Sequence, residues 1–249
     1  VPFLEANADE LRADVALICD TGMWSRERPA VTFMLRGLVG EEVTVTAADR
    51  DLHSGMFGSA ENVTALAGIL QDYPEIPLIL DPILNSGAGD SLADDALVEA
   101  MSVLLIPQTA LLTPNTLEVM RLAPDADNID AAAQAILSMG CAFVLVTGTH
   151  EASPEVINRL YGNRRLLETF HWERLPHTYH GSGCTLASAC AATLAHDIDV
   201  LEAVSEAQDF TWQALAHGTR LGMGQHIPDR MYWARDDMDD DPPDDGPLH

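Results

Sequence analysis

The segment from His180 to Ala189, "HGSGCTLASA", places glycines on both sides of a serine, directly before a run of small residues typical of a helix. Backbone N–H groups that converge at the start of a helix bind anions, because the helix dipole places partial positive charge there. We therefore predict a site for a phosphate or a developing oxyanion at Gly181, Ser182 and Gly183. The structural alternative is a glycine-rich helix start that only packs closely against a strand.

Cys184 follows in the first turn of the same predicted helix. The helix dipole is expected to lower the pKa of a thiol at this position, although a lone cysteine is also a common small buried residue. The other cysteines, Cys19, Cys141 and Cys190, are scattered and form no CxxC pair. We predict four reduced thiols in a cytoplasmic protein, without a zinc or disulfide framework.

The segment "LLTPNTLEVMRL", Leu111 to Leu122, combines a strand end with a helix start. Pro114 ends the strand, Asn115 is a suitable N-cap, and Glu118 follows three residues later, so a capping box explains both polar residues. The functional alternative places both side chains in the crevice at the carboxyl ends of the strands, where open α/β sheets bind ligands. The pattern alone does not choose between them.

Two further strand ends carry polar groups. Asp81 in "LDPILNSGAGD" ends a short apolar strand before a glycine-rich loop, where a carboxylate can hold Mg²⁺ through water or position a phosphoryl group. A turn-forming Asp-Pro explains it equally well. The strand end "LVTGTH" offers hydroxyl and backbone groups to nucleotide phosphates at Thr147, Gly148 and Thr149.

The elements that must position these residues alternate along the chain from about residue 62. The strands "IPLILD", "TALLTPN" and "AFVLVTG" are nearly continuous apolar runs separated by helical patterns, which indicates a parallel sheet covered on both faces. Gly162-Asn163 predicts a hairpin, and two helices follow it. The fold class is therefore α/β, as a doubly wound layer.

Composition limits the partners. The chain has 249 residues, of which 47% are hydrophobic, and this is enough for one large α/β domain. Its net charge is −26, from 39 acidic residues against 13 basic ones, all of them arginine. Such a charge repels nucleic acid and anionic membranes, so we expect neither as a partner. No apolar run approaches the roughly 20 residues of a transmembrane helix.

Four of these segments together resemble a known family. "LDPIL", "LLTPNTLE", "VLVTGTH" and "HGSGCTLASACAA", in this order, are similar to the hydroxymethylpyrimidine/phosphomethylpyrimidine kinases of thiamine biosynthesis, over about Gly58 to Arg235. The resemblance implies a ribokinase-like fold with a mostly parallel sheet flanked by helices. It also implies ATP and Mg²⁺ as cofactors and a small pyrimidine substrate that is phosphorylated twice, and it leaves a homodimer open.

The resemblance also implies residue roles. An anion hole receives the transferred phosphoryl group, with a thiol where most relatives place an aspartate base: Gly181, Ser182, Gly183 and Cys184. Groups that order ATP phosphates and indirectly bind Mg²⁺ are Asn115, Glu118 and Asp81. The nucleotide-contacting strand end is Thr147, Gly148 and Thr149, and better-known members have a lysine where Thr147 stands. This chain contains no lysine, so Mg²⁺, arginine and backbone amides are expected to meet the phosphate charge.

The first residues differ from that family. "ADVALICDTGMW" and the alternating pattern that follows, up to "LHSG", resemble the di-zinc metallopeptidases of the aminoacylase and carboxypeptidase type. In that resemblance Asp20 is a metal ligand and His53 reaches a partner's active site, but the other ligands of a zinc pair are absent. We therefore interpret both as remnants. The alternation from about residue 30 predicts two antiparallel strands, and Val15 to Cys19 is expected to pair with the kinase sheet.

These interpretations divide the chain into three segments: an incomplete metallopeptidase-like piece at 1–58, a kinase core at 59–235, and an acidic, disordered tail at 236–249. Because the usual pyrimidine-binding start of the kinases is not recognisable, two alternatives to an active kinase stay open. One is a catalytically dead nucleotide-binding relic or fusion product, and the other is a zinc-dependent peptidase fragment.

Overall fold

Six strands form one sheet in the order β1-β2-β3-β4-β5-β6 in the computed structural model of the chain. The structure describes residues 52–54, 57–84, 93–196, 198–220 and 224–234, all within the unit Glu41–His249. The strands are β1 Leu52–Ser54, β2 Leu78–Leu80, β3 Thr109–Leu112, β4 Phe143–Val146, β5 Glu155–Gly162 and β6 Arg165–Glu173. β1 to β4 pair in parallel, and β5 pairs antiparallel with both β4 and β6. This confirms the predicted mostly parallel α/β sheet.

Six α-helices accompany the sheet in the described ranges. They are α1 Ala60–Asp72, α2 Asp95–Ala100, α3 Thr116–Leu122, α4 Ile129–Ser138, α5 Ser182–Leu194 and α6 Val200–Ala216. A π-helical turn, Met101–Leu105, and a 3₁₀ turn, Ile106–Gln108, continue α2. None of the described helices is long and apolar enough to cross a bilayer.

Five of the described α-helices begin with a side-chain cap, and α5 does not. Ser59, Asp94, Asn115, Asn128 and Asp199 each accept a hydrogen bond from an N–H group in the first turn of the helix that follows. Such side chains satisfy backbone donors that have no partner inside the helix. At α5 the N-cap is a glycine, and no capping side chain occupies the first N–H groups of the helix.

Alternate residues of the central strands face opposite sides of the sheet, as the pleat requires. Leu78 and Leu80 of β2 are buried in a core formed with α1 to α4. Ile79, between them, is buried in a second core that contains Leu186 of α5 and Val204 of α6. The sheet is therefore covered on both faces, and this confirms the doubly wound layer predicted from its apolar strands.

The start of the sheet corrects one prediction. Residues 52–54 pair in parallel with residues 78–80, whereas the alternating pattern predicted an antiparallel strand in this segment. The reason is the connection: α1 carries the chain back across the sheet, so β2 runs in the same direction as β1. The predicted strand at Val15 to Cys19 and the acidic tail lie outside the described residues.

The hairpin forms as predicted, with its turn one residue later. Asn163 and Arg164 are the turn residues, with φ of 50° and 58°, the left-handed conformation of the tight turns that match strand twist. Gly162 stays in β5 opposite Phe143. A Cβ on Gly162 would lie 2.6 Å from Cδ1 of Phe143, so this glycine allows close packing between strands and does not make the turn.

Candidate active site

Polar residues gather where β2, β3 and β4 end and where α5 begins. Asp81 directly follows β2, Asn115 lies three residues beyond β3, and Thr147 directly follows β4. Parallel strands place their carboxyl ends along one edge of the sheet, and ligands of open α/β folds bind at this edge. The structure therefore places the predicted strand-end residues on one side of the molecule.

Glu118 joins two of these strand ends. Its Oε2 accepts the backbone N–H of Asn115 at 2.9 Å, and Asn115 Oδ1 accepts the backbone N–H of Glu118 at 3.0 Å, so the capping box forms. The other oxygen, Oε1, accepts the backbone N–H of Leu84 at 3.3 Å. The structure confirms the capping box and shows that its carboxylate also reaches the segment that follows β2, while the ligand-binding interpretation stays a prediction.

Asp81 and Glu118 form a pair of buried carboxyl groups, with only 5% of each residue exposed. The pKa of Asp81 is raised to about 8, mainly by burial and also by the charge of Glu118, while the hydrogen bond from the Cys184 thiol lowers it. Burial also raises the pKa of Glu118, against the two N–H groups that it accepts. Two carboxyl groups that are costly to ionise together fit a divalent cation, whose charge would offset both.

The start of α5 lies against Asp81. Gly181 adopts a φ of +83°, which strongly favours glycine, and turns the chain into the helix. A Cβ on Gly183 would lie 3.5 Å from Asp81 Oδ2, and the Cys184 thiol and the Asp81 carboxyl group are hydrogen-bond partners. The predicted anion segment and the predicted phosphate-positioning acid are therefore neighbours.

The predicted direction of the Cys184 pKa is wrong. The pKa of this thiol is raised to about 11, mainly by burial and also by the negative charge of Asp81. The positive charge of Arg230 lowers the pKa and offsets only part of this. Loss of hydration disfavours the thiolate more than the start of the helix favours it, so Cys184 is a protonated thiol at neutral pH.

The end of β4 is fixed next to Asn115. Thr147 forms a parallel bridge with Asn115, and its backbone N–H donates to the carbonyl of Pro114 at 2.9 Å. Gly148 donates its N–H to Oδ1 of the buried Asn158 at 3.0 Å. A Cβ on Gly148 would lie 2.2 Å from the carbonyl oxygen of Ile157, so only glycine fits at this point.

Arg174 organises the segment that follows Gly148, and sequence reasoning missed it. Its guanidinium donates to the carbonyl oxygens of Thr149 at 2.9 Å, Glu151 at 2.9 Å and Ser153 at 2.7 Å. These hydrogen bonds join residues that lie 21 to 25 positions apart in the sequence, so no local sequence pattern predicts them. Thr149 is exposed, and its main chain is held in place by this arginine.

Arg230 is a second basic residue that the motifs did not reveal. Its Nη2 would lie 3.2 Å from a Cβ on Gly181, and its Nε donates to Oγ1 of Thr185, in the first turns of α5, at 3.0 Å. The available signal was indirect, since a chain without lysine must meet phosphate charge with arginine. The structure places this arginine beside the predicted anion site.

Of the two predicted peptidase residues, only His53 belongs to an element that the structure describes. His53 lies in β1, in register with Ile79 of β2, and Asp20 lies outside the described residues. In the part of the chain that the structure describes, no group of three or more His, Cys, Asp and Glu side chains could hold a metal ion.

Comparison with known proteins identifies similar sequences across most of the chain. The phosphomethylpyrimidine kinase family model matches residues 36–229. The hydroxymethylpyrimidine/phosphomethylpyrimidine kinase of Streptomyces coelicolor is 34% identical over 212 residues, which cover 82% of this chain and 74% of that protein. The protein of the same name from Synechococcus elongatus is 34% identical over 180 residues, covering 70% and 68% of the two chains.

Solved structures share the fold. A pyridoxal kinase from Staphylococcus aureus in complex with ADP superposes with a TM-score of 0.68 at 23% identity, covering 74% of this chain and 69% of that chain. A phosphomethylpyrimidine kinase from Clostridium difficile has a TM-score of 0.56 at 28% identity, covering 65% and 67%. The first likeness establishes the ribokinase-like architecture that was predicted.

The family match also corrects the interpretation of the first residues. It begins at residue 36, well inside the segment 1–58 that resembles a metallopeptidase, and β1 of the same sheet lies there too. The comparisons do not support the peptidase interpretation of Asp20 and His53. The boundary near Gly58 stays a prediction.

Proposed function

This chain belongs to the phosphomethylpyrimidine kinase family, and we propose that it phosphorylates hydroxymethylpyrimidine and then the resulting monophosphate, with ATP as the donor, in thiamine biosynthesis. The curated relatives carry these two activities in their names, and a relative from Geobacter sulfurreducens is named a thiamine biosynthesis bifunctional protein. The pyrimidine and its monophosphate are therefore the substrates that we assign to this site.

The observation that carries the proposal is the convergence of Asp81, Glu118 and Cys184 at the uncapped start of α5. Phosphoryl transfer depends mainly on positioning and on neutralising charge, with little covalent chemistry for the protein to perform. The N–H groups at the start of α5 would position the phosphoryl group, and the pair of buried carboxyl groups would hold the cation that neutralises its charge.

Asp81 and Glu118 would hold Mg²⁺, directly or through water, together with phosphate oxygens of ATP. Mg²⁺ is commonly bound by one or two carboxylates completed by substrate phosphates, which matches a two-carboxylate pair. When bound, the ion would neutralise the charge that develops on the transferred group. Thr147, Gly148 and Thr149, held by Asn158 and Arg174, would contact the nucleotide.

In the reaction, the bond between the ATP γ-phosphorus and the β–γ bridging oxygen breaks, and a bond from phosphorus to the substrate hydroxymethyl oxygen forms. The hydroxyl proton leaves during this step. We assign its acceptance to Cys184 Sγ, and the thiol proton would pass to its hydrogen-bond partner Asp81, whose carboxyl group a bound Mg²⁺ would hold in the ionised form. Because the thiol is a weak base, the hydroxyl gives up its proton late, as the phosphoryl group arrives.

A coupled assay of ADP release, with hydroxymethylpyrimidine and Mg²⁺ present, tests the proposal, and mass spectrometry of the products identifies the mono- and diphosphate. We expect ATP consumption to require both the pyrimidine and Mg²⁺, and to stop when EDTA is added. ATP binding without any phosphorylated product would instead identify a non-catalytic nucleotide-binding relic. Hydrolysis of N-acyl amino acids or dipeptides, inhibited by a zinc chelator, would revive the peptidase alternative.

A further inference from the structure

We propose that the Arg230 guanidinium completes the anion site at Gly181–Cys184 and contacts the phosphoryl group during its transfer. The inference deepens the proposed function and rests on it. The phosphoryl group carries negative charge on three oxygens, and the α5 N–H groups provide only partial positive charge. A full positive charge beside them is the component that the predicted motifs lack.

The other arginines that bind structural partners cannot easily take this role. Arg159 forms an ion pair with Glu151 at 2.8 Å, Arg174 is bound to main-chain carbonyls after β4, and Arg121 donates to the carbonyls of Leu84 and Ala93. Because all 13 basic residues of the chain are arginine, no lysine can substitute. Among the residues that the structure describes, Arg230 is the arginine that lies beside Gly181.

The side chain of Arg230 is oriented toward the site. Its Nε donates to Thr185 Oγ1 at 3.0 Å, and this hydroxyl donates in turn to the Gly181 carbonyl at 2.7 Å. Within the described residues, Nε is the only nitrogen of Arg230 with a hydrogen-bond partner, and Nη2 approaches Gly181. The guanidinium is thus anchored at one edge and presents its remaining donors beside the anion segment, as bidentate phosphate recognition requires.

The segment that carries Arg230 is itself fixed to the fold. The Asp229 N–H donates to the Ala214 carbonyl of α6 at 2.8 Å, and the N–H of His180 donates to the carbonyl of His226 at 2.9 Å. His180 directly precedes Gly181. The closing segment, residues 226–230, is therefore bonded both to α6 and to the residue before Gly181, and this keeps the guanidinium in place before a ligand binds.

The alternative is a purely structural role, in which Arg230 only attaches the closing segment to Thr185. Three variants separate the two roles: Arg230→Gln removes the charge, Arg230→Lys keeps it, and Arg165→Gln makes the same change in net charge at an exposed position of the hairpin. For Arg230→Gln we expect kcat to fall by about 10²–10³-fold, as for the loss of one oxyanion-hole donor, with KM for ATP changed only a few-fold. Arg230→Lys should recover part of kcat, and added guanidinium ion should partly restore an Arg230→Ala variant.

Inorganic phosphate provides a probe that does not depend on turnover. We expect it to raise the melting temperature of the wild-type chain and of Arg165→Gln, but not that of Arg230→Gln. Unchanged kcat and unchanged phosphate stabilisation in Arg230→Gln would overturn the inference, as would a loss of kcat that neither lysine nor guanidinium repairs. Phosphate binding that requires Arg230, in a wild-type chain without kinase activity, would support the anion contact and refute the proposed function.

Discussion

Asp81 is a carboxyl group whose ionised form is costly in the folded protein. The carboxyl group is buried next to Glu118 and hydrogen-bonded to Cys184, and burial raises its pKa to about 8 from a usual 3.8. Above pH 4 the unfolded chain loses this proton, whereas the folded chain keeps it until about pH 8. The folded state therefore binds the extra proton across this window, and Asp81 makes the chain less stable as the pH rises through it.

Replacing Asp81 by Asn tests whether Asp81 lowers the free energy of unfolding as the pH rises. We expect Asp81→Asn to equal the wild type in free energy of unfolding near pH 4 and to become progressively more stable than the wild type toward pH 8. This difference in the free energy of unfolding can grow by at most about 1.4 kcal/mol per pH unit. Urea unfolding without Mg²⁺ at several pH values measures it, and Asp72→Asn, at an exposed position, controls for net charge. A pH-independent difference would contradict the raised pKa.

The proposed mechanism assigns a defined proton-transfer role to Cys184. Removal of the thiol in Cys184→Ala should lower kcat by about 10²–10⁴-fold, the usual contribution of a proton-transfer group, while ATP affinity changes little. Cys190→Ala, on the same helix and fully buried, is the matched control, because it removes a thiol from α5 but leaves the Cys184–Asp81 hydrogen bond in place. Full turnover by Cys184→Ala would remove the thiol from the mechanism.

At the scale of elements, the strand ends illustrate what local sequence can and cannot specify. The continuous apolar strands predicted the buried parallel sheet, and the Asn-x-x-Glu spacing predicted the capping box, because both depend on neighbouring residues. The reach of Glu118 to Leu84, 34 residues away, and the contacts of Arg174 and Arg230 depend on how distant elements pack. The Cys184 pKa was predicted in the wrong direction for the same reason, since burial is a property of the assembled fold.

Gly148 links an element boundary to the nucleotide side of the site. We expect Gly148→Ala to destabilise the chain by about 2 kcal/mol or more, because the added Cβ would meet the Ile157 carbonyl of β5 at 2.2 Å. Gly68→Ala is the matched control: it lies on the exposed face of α1 with open space around it. This control should stabilise the helix by roughly 0.5–1 kcal/mol.

Chemical denaturation of the two alanine variants measures both effects, and the ATP affinity of Gly148→Ala reports whether the strand end also serves the site. Equal stability of the two variants would mean that β4 and β5 separate easily at this point. It would also weaken the assignment of Gly148 to a rigid nucleotide-binding turn.

At the scale of the whole molecule, the chain handles a highly charged nucleotide while carrying a strong negative charge itself. Family membership accounts for the fold, and the homodimer and the cytoplasmic location stay predictions. The charge of −26 is a property of this chain, and like charges brought together on folding repel one another. Arg230 and the start of α5 act as a local exception, because they place positive charge where phosphate is expected.

Self-repulsion of this size predicts a salt response. Raising NaCl from 0.05 to 1 M shortens the Debye length from more than 10 Å to about 3 Å, so we expect the melting temperature at pH 7.5 to rise by several degrees. One kcal/mol corresponds to roughly 2–4 °C for a chain of this size. The same titration near the isoelectric point of 4.3 is the control, because net repulsion vanishes there while the effect of NaCl on apolar hydration does not. A salt response of equal size at both pH values would mean that NaCl acts through hydration, and that the acidic surface costs this fold little.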